Sequence, residues 1–299
     1  MPEIVRYIVR KLLHPGDTFR ALRLRADMRW LMLSNRFAWS AVAAGNPGPV
    51  VSLTTYGKRV QAVYLAIESI ARGSVLPSRL ILWIDDAALY ANLPRPLLRL
   101  KRRGLEIRYC KNYGPHKKYY PYVESQRAFN APLVTADDDV IYPRSWLAGL
   151  LAAHQQFPGC VNCYRARVMT LRGGKIAPYR EWPLCDSIRP APTTVATGVS
   201  GVIYPSALLA DLKSAGTAFE ARCPKADDLW LHVQAIRSGF QIRQIQPEPI
   251  HFPMIPGSQE SSLYAENCAL DDGNDRQLAV TYEARDLELF ESSAFAFHA

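Results

Sequence analysis

The chain has 299 residues, 48% of them hydrophobic and 10% aromatic, enough to bury the core of one large α/β domain with appendages, so disorder is not the default. No window of about 18 uninterrupted apolar residues occurs, and the opening Met1-Pro2-Glu3-Ile4-Val5-Arg6 lacks the apolar run of a secretory signal, so neither a membrane span nor export is expected. The net charge of +9 is uneven: residues 256–299 carry nine carboxylates against two arginines, so the basic excess lies in residues 1–255 and favours a polyanionic partner.

Nucleic acid is not the expected partner, because no helix-turn-helix, finger or aromatic RNP-type pattern accompanies the charge. Nucleotide diphosphates and anionic phospholipid suit it equally well. The six cysteines are scattered through a chain too long to need stapling, which fits reduced thiols in a cytoplasmic protein. Only Cys160 and Cys163 stand at CxxC spacing, and without a second ligand pair they read as buried thiols rather than a zinc site.

Three segments are expected: a basic amphipathic extension over 1–48, a catalytic domain over 49–255, and an acidic segment over 256–299 that covers the site. Residues 1–46 interleave apolar side chains with Arg6, Arg10, Lys11, Arg20, Arg23, Arg25, Arg29 and Arg36. They predict one or two helices that either lie on an anionic leaflet or pack on the domain. The turn-rich stretch from Ala44 to Pro49 closes this extension.

Strand and helix then alternate. Val50 to Thr54 is a β-branched run, and Val60, Val63, Tyr64, Ile67 and Ile70 fall at helical spacing before Gly73. Arg79 to Ile84 is a second apolar strand ending at Asp85-Asp86; a helix over about 94–103 and a strand over 105–109 follow. Pro132 to Ala136 is a fourth strand running into Asp137-Asp138-Asp139. This order predicts an α/β fold with a mostly parallel, Rossmann-like sheet flanked by helices, whose ligands bind beyond the carboxyl ends of the strands. Thr54, Thr55 and Tyr56, then Asp85 and Asp86, then the acidic triplet all fall at those ends. No GxGxxG or GxxxxGK[ST] loop is present, which disfavours a dinucleotide dehydrogenase or a P-loop NTPase.

Three adjacent carboxylates repel one another unless a cation neutralises them, and a hard divalent ion takes carboxylate oxygens from one or two residues, with phosphate and water completing its shell. In extended backbone Asp137 and Asp139 point one way and Asp138 the other. Asp137 and Asp139 are therefore the candidate ligands of Mn²⁺ or Mg²⁺, and Asp138 a ribose contact; a solvated acidic turn is the alternative. Lys117 and Lys118, between the third and fourth strands, are placed to stabilise charge on a leaving diphosphate or else belong to a solvated basic loop. Arg59 is a weaker diphosphate candidate.

Gly198 and Ser200 lie in a small-residue segment, Thr197 to Val202, where a backbone can approach an acceptor sugar or simply turn tightly. Asp227-Asp228-Leu229-Trp230 opens a helix running to about Ser238-Gly239. Acids in a first turn favour the helix dipole. Residues beyond Pro253 are polar, acidic and poorly periodic, and are expected to form a loop or short helices over the site.

Taken in order, Val51 to Thr55, Asp85-Asp86, Thr135 to Pro143 and Lys225 to Trp230 resemble the GT-A glycosyltransferases, particularly the family-2-like bacterial polysaccharide enzymes. The resemblance spans about residues 49–251. It implies a nucleotide-sugar donor, a UDP-sugar by family habit; a metal at the DxD element; an acceptor site, for a glycan or lipid-linked acceptor, on the later half of the domain, Trp230 included; and a function in surface polysaccharide synthesis. Asp85 and Asp86 would contact the base, and His251 resembles the late histidine that completes the metal shell in some members, while between prolines it can also be structural. By the same resemblance the Asp227-Asp228 pair stands at the acceptor site, which makes Asp228 the candidate base that takes the acceptor hydroxyl's proton and Asp227 the residue that orients the acceptor. Inverting transfer follows from the assignment of Asp228; a retaining transferase or a nucleotidyltransferase uses the same metal–diphosphate chemistry.

Overall fold

A computed structural model describes residues 15–45, 47–258 and 273–295. Its centre is a seven-stranded sheet built from β1 (Val50–Thr54), β2 (Arg79–Ile84), β3 (Glu106–Tyr109), β4 (Leu133–Thr135), β5 (Cys160–Cys163), β10 (Val202–Tyr204) and β11 (Gln241–Gln244) in the spatial order β11-β5-β10-β4-β1-β2-β3. β1 pairs in parallel with both β2 and β4, and β2 with β3, while β10 runs antiparallel between β4 and β5. The continuous burial of β1 and the apolar run Leu80 to Ile84 of β2 follow from this position: each strand is covered on both faces, so neither alternates. The expected mostly parallel α/β sheet is the one observed. After β3 the chain returns to the other side of β1, so the switch in strand order falls between β1 and β4, and a crevice opens at their carboxyl ends.

The helical expectations hold closely. α2 (Val63–Ala71), α3 (Ala87–Ala91) and α4 (Arg95–Arg102) join the first three strands, α5 (Tyr120–Ser125) precedes β4, and α6 (Trp146–Gln156) joins β4 to β5. Short strands follow, β6 (Ala166–Val168), β7 (Leu171–Arg172), β8 (Lys175–Ile176) and β9 (Thr194–Ala196). β6 pairs with β9 and β7 with β8 in two small antiparallel sheets beside the main one. α7 (Ser206–Ala215) and α8 (Phe219–Arg222) lead to α9 (Asp227–Arg237), the helix expected from the Asp227-Asp228 pair.

In the amino-terminal segment, α1 (Pro15–Phe37) packs on the domain through Leu24, Met28 and Leu31, which meet Leu65, Ala66, Ile141 and Ile255. Behind them Asn35 donates to the buried Glu68 carboxylate, which also takes the Arg103 guanidinium at 2.6 Å. Arg6, Arg10 and Lys11 lie outside the described residues.

The acidic segment forms α10 (Gly273–Thr281) and α11 (Ala284–Phe295), both against α9. Asp286 holds Arg237 at 2.7 Å, and Gln277 accepts from the Lys225 backbone N–H. The loop expected to cover the site falls mostly in residues 259–272, outside those described. Cys110, Cys160, Cys163, Cys185 and Cys223 are buried free thiols, as the cysteine spacing suggested.

Candidate active site

The crevice at the β1–β4 switch is a cavity of about 650 Å³ that the ends of three parallel strands and the start of α9 enclose. β1 contributes Thr54, Tyr56 and Arg59, β2 contributes Asp85, and β4 contributes Asp137, Asp138 and Asp139; Lys117 and Lys118 enter from the 3₁₀ turn Gly114–Lys118. Gly198, Asp227, Asp228 and His251 line the opposite side. Residues separated by up to about two hundred positions thus converge because parallel strands deliver their carboxyl ends to one edge.

The acidic triplet does not continue the strand. Residues 138 and 139 form a turn, so the alternation expected of extended backbone is lost. Asp138 and Asp139 instead share Arg59, at 2.9 and 3.1 Å, while Asp137 turns to Lys118 at 2.5 Å. Asp138 is also the acceptor for Thr55 Oγ1 at 2.7 Å. Its two oxygens are thereby occupied by Thr55 and Arg59, which makes it an anchor of the turn rather than the ribose contact expected of it. Thr55 is fully buried beneath the cavity and acts on it only through that bond. Arg59 is stacked on the Tyr56 ring, 5.2 Å from its centroid, which fixes the guanidinium between the two carboxylates.

Burial, reinforced by the neighbouring Asp137 charge, pushes the Asp139 carboxyl up to about 6, against the opposing pull of Arg59. Burial likewise raises Asp138 despite Arg59 and Thr55. The three carboxylates thus share the turn with the Arg59 and Lys118 cations, and burial more than charge balance disfavours ionisation of Asp138 and Asp139.

Consecutive lysines diverge because they sit on a 3₁₀ turn. Lys117, nearly buried, ion-pairs with Asp85 at 2.6 Å, and Lys118 reaches Asp137. Burial opposes charge on Lys118, but the carboxylates of Asp137, Asp227 and Asp228 outweigh it and hold the ammonium well above the usual lysine range. A solvated basic loop is thus not what the sequence encodes here.

Asp228 sits in the first turn of α9 and is the acceptor for the Gly198 backbone N–H at 2.9 Å. Burial first, and then the Asp227 charge beside it, push its carboxyl up to about 7, while Lys118 and the Gly198 N–H pull the other way. Gly198 is where a small residue is required for the site itself: a Cβ there would lie 3.0 Å from Asp228 Oδ1 and 3.5 Å from Lys118 Nζ. Gly201 is small for packing instead, since its Cβ would meet the Trp146 indole at 2.7 Å.

Several expected site residues belong elsewhere. Asp86 is exposed and caps α3 by accepting from the Leu89 backbone N–H at 2.9 Å, so only Asp85 of that pair faces the cavity. Ser200 is fully buried, with its Oγ donating to the Ile250 carbonyl and its own carbonyl accepting from Trp146 Nε1; these bonds hold a positive φ of 80°. Trp230 lies in the core against Phe219. Neither lines the cavity. Thr54 lines the cavity, but its hydroxyl is committed to the Trp83 carbonyl at 3.1 Å. His251 is exposed at the rim, and among the described residues no group of three or more His, Cys, Asp or Glu side chains is arranged to hold a metal. The expected cage of Asp137, Asp139 and His251 is therefore not assembled by protein atoms alone.

The sequence reading missed the wall made by Arg165, Arg167 and Tyr179. Arg165 donates to Thr197 Oγ1 at 3.0 Å, and Arg167 stacks on the Tyr179 ring at 5.4 Å. The period-two spacing of Arg165 and Arg167 at the start of a strand was a signal, since it sends both guanidiniums to one face. Lys225, which opens the last stretch of the resemblance without a role of its own there, and Asn112, which carried no pattern, also line the cavity.

No family model matches the chain, and no curated protein matches it. Among solved structures, a CMP:2-keto-3-deoxy-manno-octonic acid synthetase complexed with CTP is similar at 12% identity, over 75% of this chain and 100% of that one, with a TM-score of 0.43. The S. aureus TarS 1-349 structure is similar at 14% identity, over 84% of this chain and 72% of that one, with a TM-score of 0.46. Likenesses this distant do not bear on activity; the chain's own topology carries the α/β fold.

Proposed function

We propose that this protein is a nucleotide-sugar-dependent glycosyltransferase that inverts configuration, with Asp228 as the base and a divalent cation at Asp137 and Asp139. The observation that carries this reading is the arrangement, across one cavity, of three adjacent carboxylates at the end of β4, the cations Arg59, Lys117 and Lys118, and the Asp228 carboxylate held by the Gly198 N–H at the start of α9.

Asp137 and Asp139 fit a hard cation by the chemistry of their donors. A carboxyl forced up to about 6 by burial and a neighbouring charge is relieved when a cation arrives, and Mg²⁺ or Mn²⁺ needs only one or two protein carboxylates beside phosphate and water. Bound there, the ion would neutralise charge on the donor diphosphate. Arg165 and Arg167 line the same space, and Lys117, Lys118 and Arg59, now set against carboxylates, would turn to a phosphate group once a cation took over the acidic turn. Asp85 is oriented by Lys117 for a contact with the base or ribose.

Asp228 suits the base because a general base works best with a pKa near the operating pH. It takes the proton from the acceptor hydroxyl as that oxygen attacks the anomeric carbon and the bond from that carbon to the donor phosphate oxygen breaks, the nucleoside diphosphate leaving with the electron pair; the Gly198 N–H and Lys118 fix the carboxylate's orientation before the proton arrives. Asp227 keeps that pKa high. The acceptor class is a glycan or lipid-linked sugar of a surface polysaccharide, and the donor base expected is uridine.

Calorimetric titration of UDP, GDP and CDP with Mn²⁺, then with EDTA, tests the donor half of this reading. One diphosphate should bind only with metal and be lost in Asp137→Ala/Asp139→Ala. Binding that ignores EDTA and the double substitution would remove the cation from the proposal, and no binding of any diphosphate would remove the transferase.

A further inference from the structure

The outward side of α1 is apolar, although it belongs to a helix already packed on the domain by its other side. Successive helical residues turn by about 100°, so Phe19, Leu22, Ala26, Trp30, Leu33 and Phe37 form one stripe, opposite the stripe of Leu24, Met28, Leu31 and Asn35 that faces the core. Phe19 is 67% exposed, Phe37 64%, and Trp39, just beyond the helix, 95%. Seven of the fourteen large hydrophobic side chains exposed among the described residues fall between Phe19 and Trp39. Such concentration on one surface marks a partner rather than chance exposure.

The charge around the stripe identifies the partner. Between Phe19 and Trp39 there are five arginines and one acid, and that acid, Asp27, is taken by Arg72 at 3.0 Å. Arg23 flanks the stripe on one side and Arg25, Arg29 and Arg36 on the other, all exposed. A second copy docked face to face would set arginines against arginines. An acyl layer with anionic headgroups takes both features at once: the apolar side chains enter the interface, the guanidiniums meet phosphate, and Trp30 and Trp39 sit at the headgroup level, which indoles favour. No helix among the described residues is long and apolar enough to cross a membrane, so this is contact with a surface.

We infer that α1 is a docking face for an anionic phospholipid bilayer, held parallel to the membrane plane, through Phe19, Leu22, Trp30, Leu33, Phe37 and Trp39 with flanking arginines. Leu31 and Ile141 share one small core cluster, so the docked helix is packed within a few side chains of the acidic turn. The inference stands on this surface alone and does not depend on the reaction proposed for the cavity.

Flotation of the full chain with vesicles of equimolar phosphatidylglycerol and phosphatidylcholine, against vesicles of phosphatidylcholine alone, tests it. The protein should partition onto the anionic vesicles and release at high salt. Leu33→Ser/Phe37→Ser/Trp39→Ser should lower the partition coefficient on the order of tenfold or more, and Arg23→Gln/Arg25→Gln/Arg29→Gln comparably, with thermal unfolding unchanged because these side chains are solvent-exposed. Three results would overturn the inference: no partition of the wild-type chain, undiminished partition of the apolar variant, or a solution dimer that the apolar variant disperses, which would make a second copy the occupant.

Discussion

Replacing Asp228 by Asn should stop turnover and stabilise the fold, and the two effects together distinguish a working base from a structural acid. In the folded protein burial and Asp227 raise the carboxyl from 3.8 to about 7, so between those values the native state binds a proton that the unfolded chain does not. Stability attributable to this group is therefore highest at acidic pH and falls as pH rises through the interval. One pKa unit corresponds to about 1.4 kcal/mol, which sets about 4 kcal/mol as the ceiling on what ionised Asp228 costs the fold at neutral pH. That value already includes the pull of Lys118 and the Gly198 N–H; Asn keeps a carbonyl acceptor for the latter but gives up the attraction to Lys118. A net gain of about 1–2 kcal/mol remains, a rise in Tm of roughly 2–6 °C at pH 8 that vanishes near pH 4. Turnover should fall by about 10²–10⁴, the usual contribution of a general base. If the proposed transfer is the reaction, kcat of the wild-type protein should rise about tenfold per unit from pH 5 toward 7 and then level off. Differential scanning fluorimetry across pH and donor-consumption assays on the same preparations measure both. An Asn variant that keeps its turnover, or that melts lower than wild type at pH 8, would refute the assignment.

Lys118 lowers the Asp228 pKa, so Lys118→Met should move the acidic limb of the pH–rate profile upward as well as reduce kcat; a profile that stays in place would separate the lysine from the base. Gly198→Ala puts a methyl 3.0 Å from Asp228 Oδ1 and should cost on the order of tenfold in kcat with little change in Tm, read by steady-state kinetics and fluorimetry on the same protein. Far from the cavity, Glu68→Gln leaves the Arg103 guanidinium buried without its counter-charge, which should destabilise the fold by about 3–5 kcal/mol in chemical denaturation; an unchanged midpoint would contradict a buried pair.

How much of this was legible beforehand depends on whether the signal was local. β1 is a β-branched run and β2 an apolar one, α2, α4 and α9 carry helical spacing, and the polar residues at the strand ends are adjacent to the strands that deliver them. Those features follow from near neighbours in the chain, and with the parallel-sheet rule they were enough to bring Asp85 and the acidic triplet to one edge; Asp227-Asp228, at a helix start, was placed there only by the family resemblance. Side-chain direction within that edge was not local. The triplet turns instead of extending because Arg59, some eighty residues earlier, draws Asp138 and Asp139 to one side. Asp86 leaves the site because its helix needs a cap, and Ser200 and Trp230 leave it because Ile250, Trp146 and Phe219 claim them.

What the sequence by itself determined is the strand and helix order, the edge where the site lies, and the basic, apolar character of the first helix, because pattern and composition are properties of a continuous stretch. What only the tertiary structure decided is which charges meet and which apolar stripe stays outside. Lys117 and Lys118 part company toward Asp85 and Asp137, and α1 buries Leu31 while leaving Phe37 exposed, because partners brought in from distant strands set the direction of each side chain.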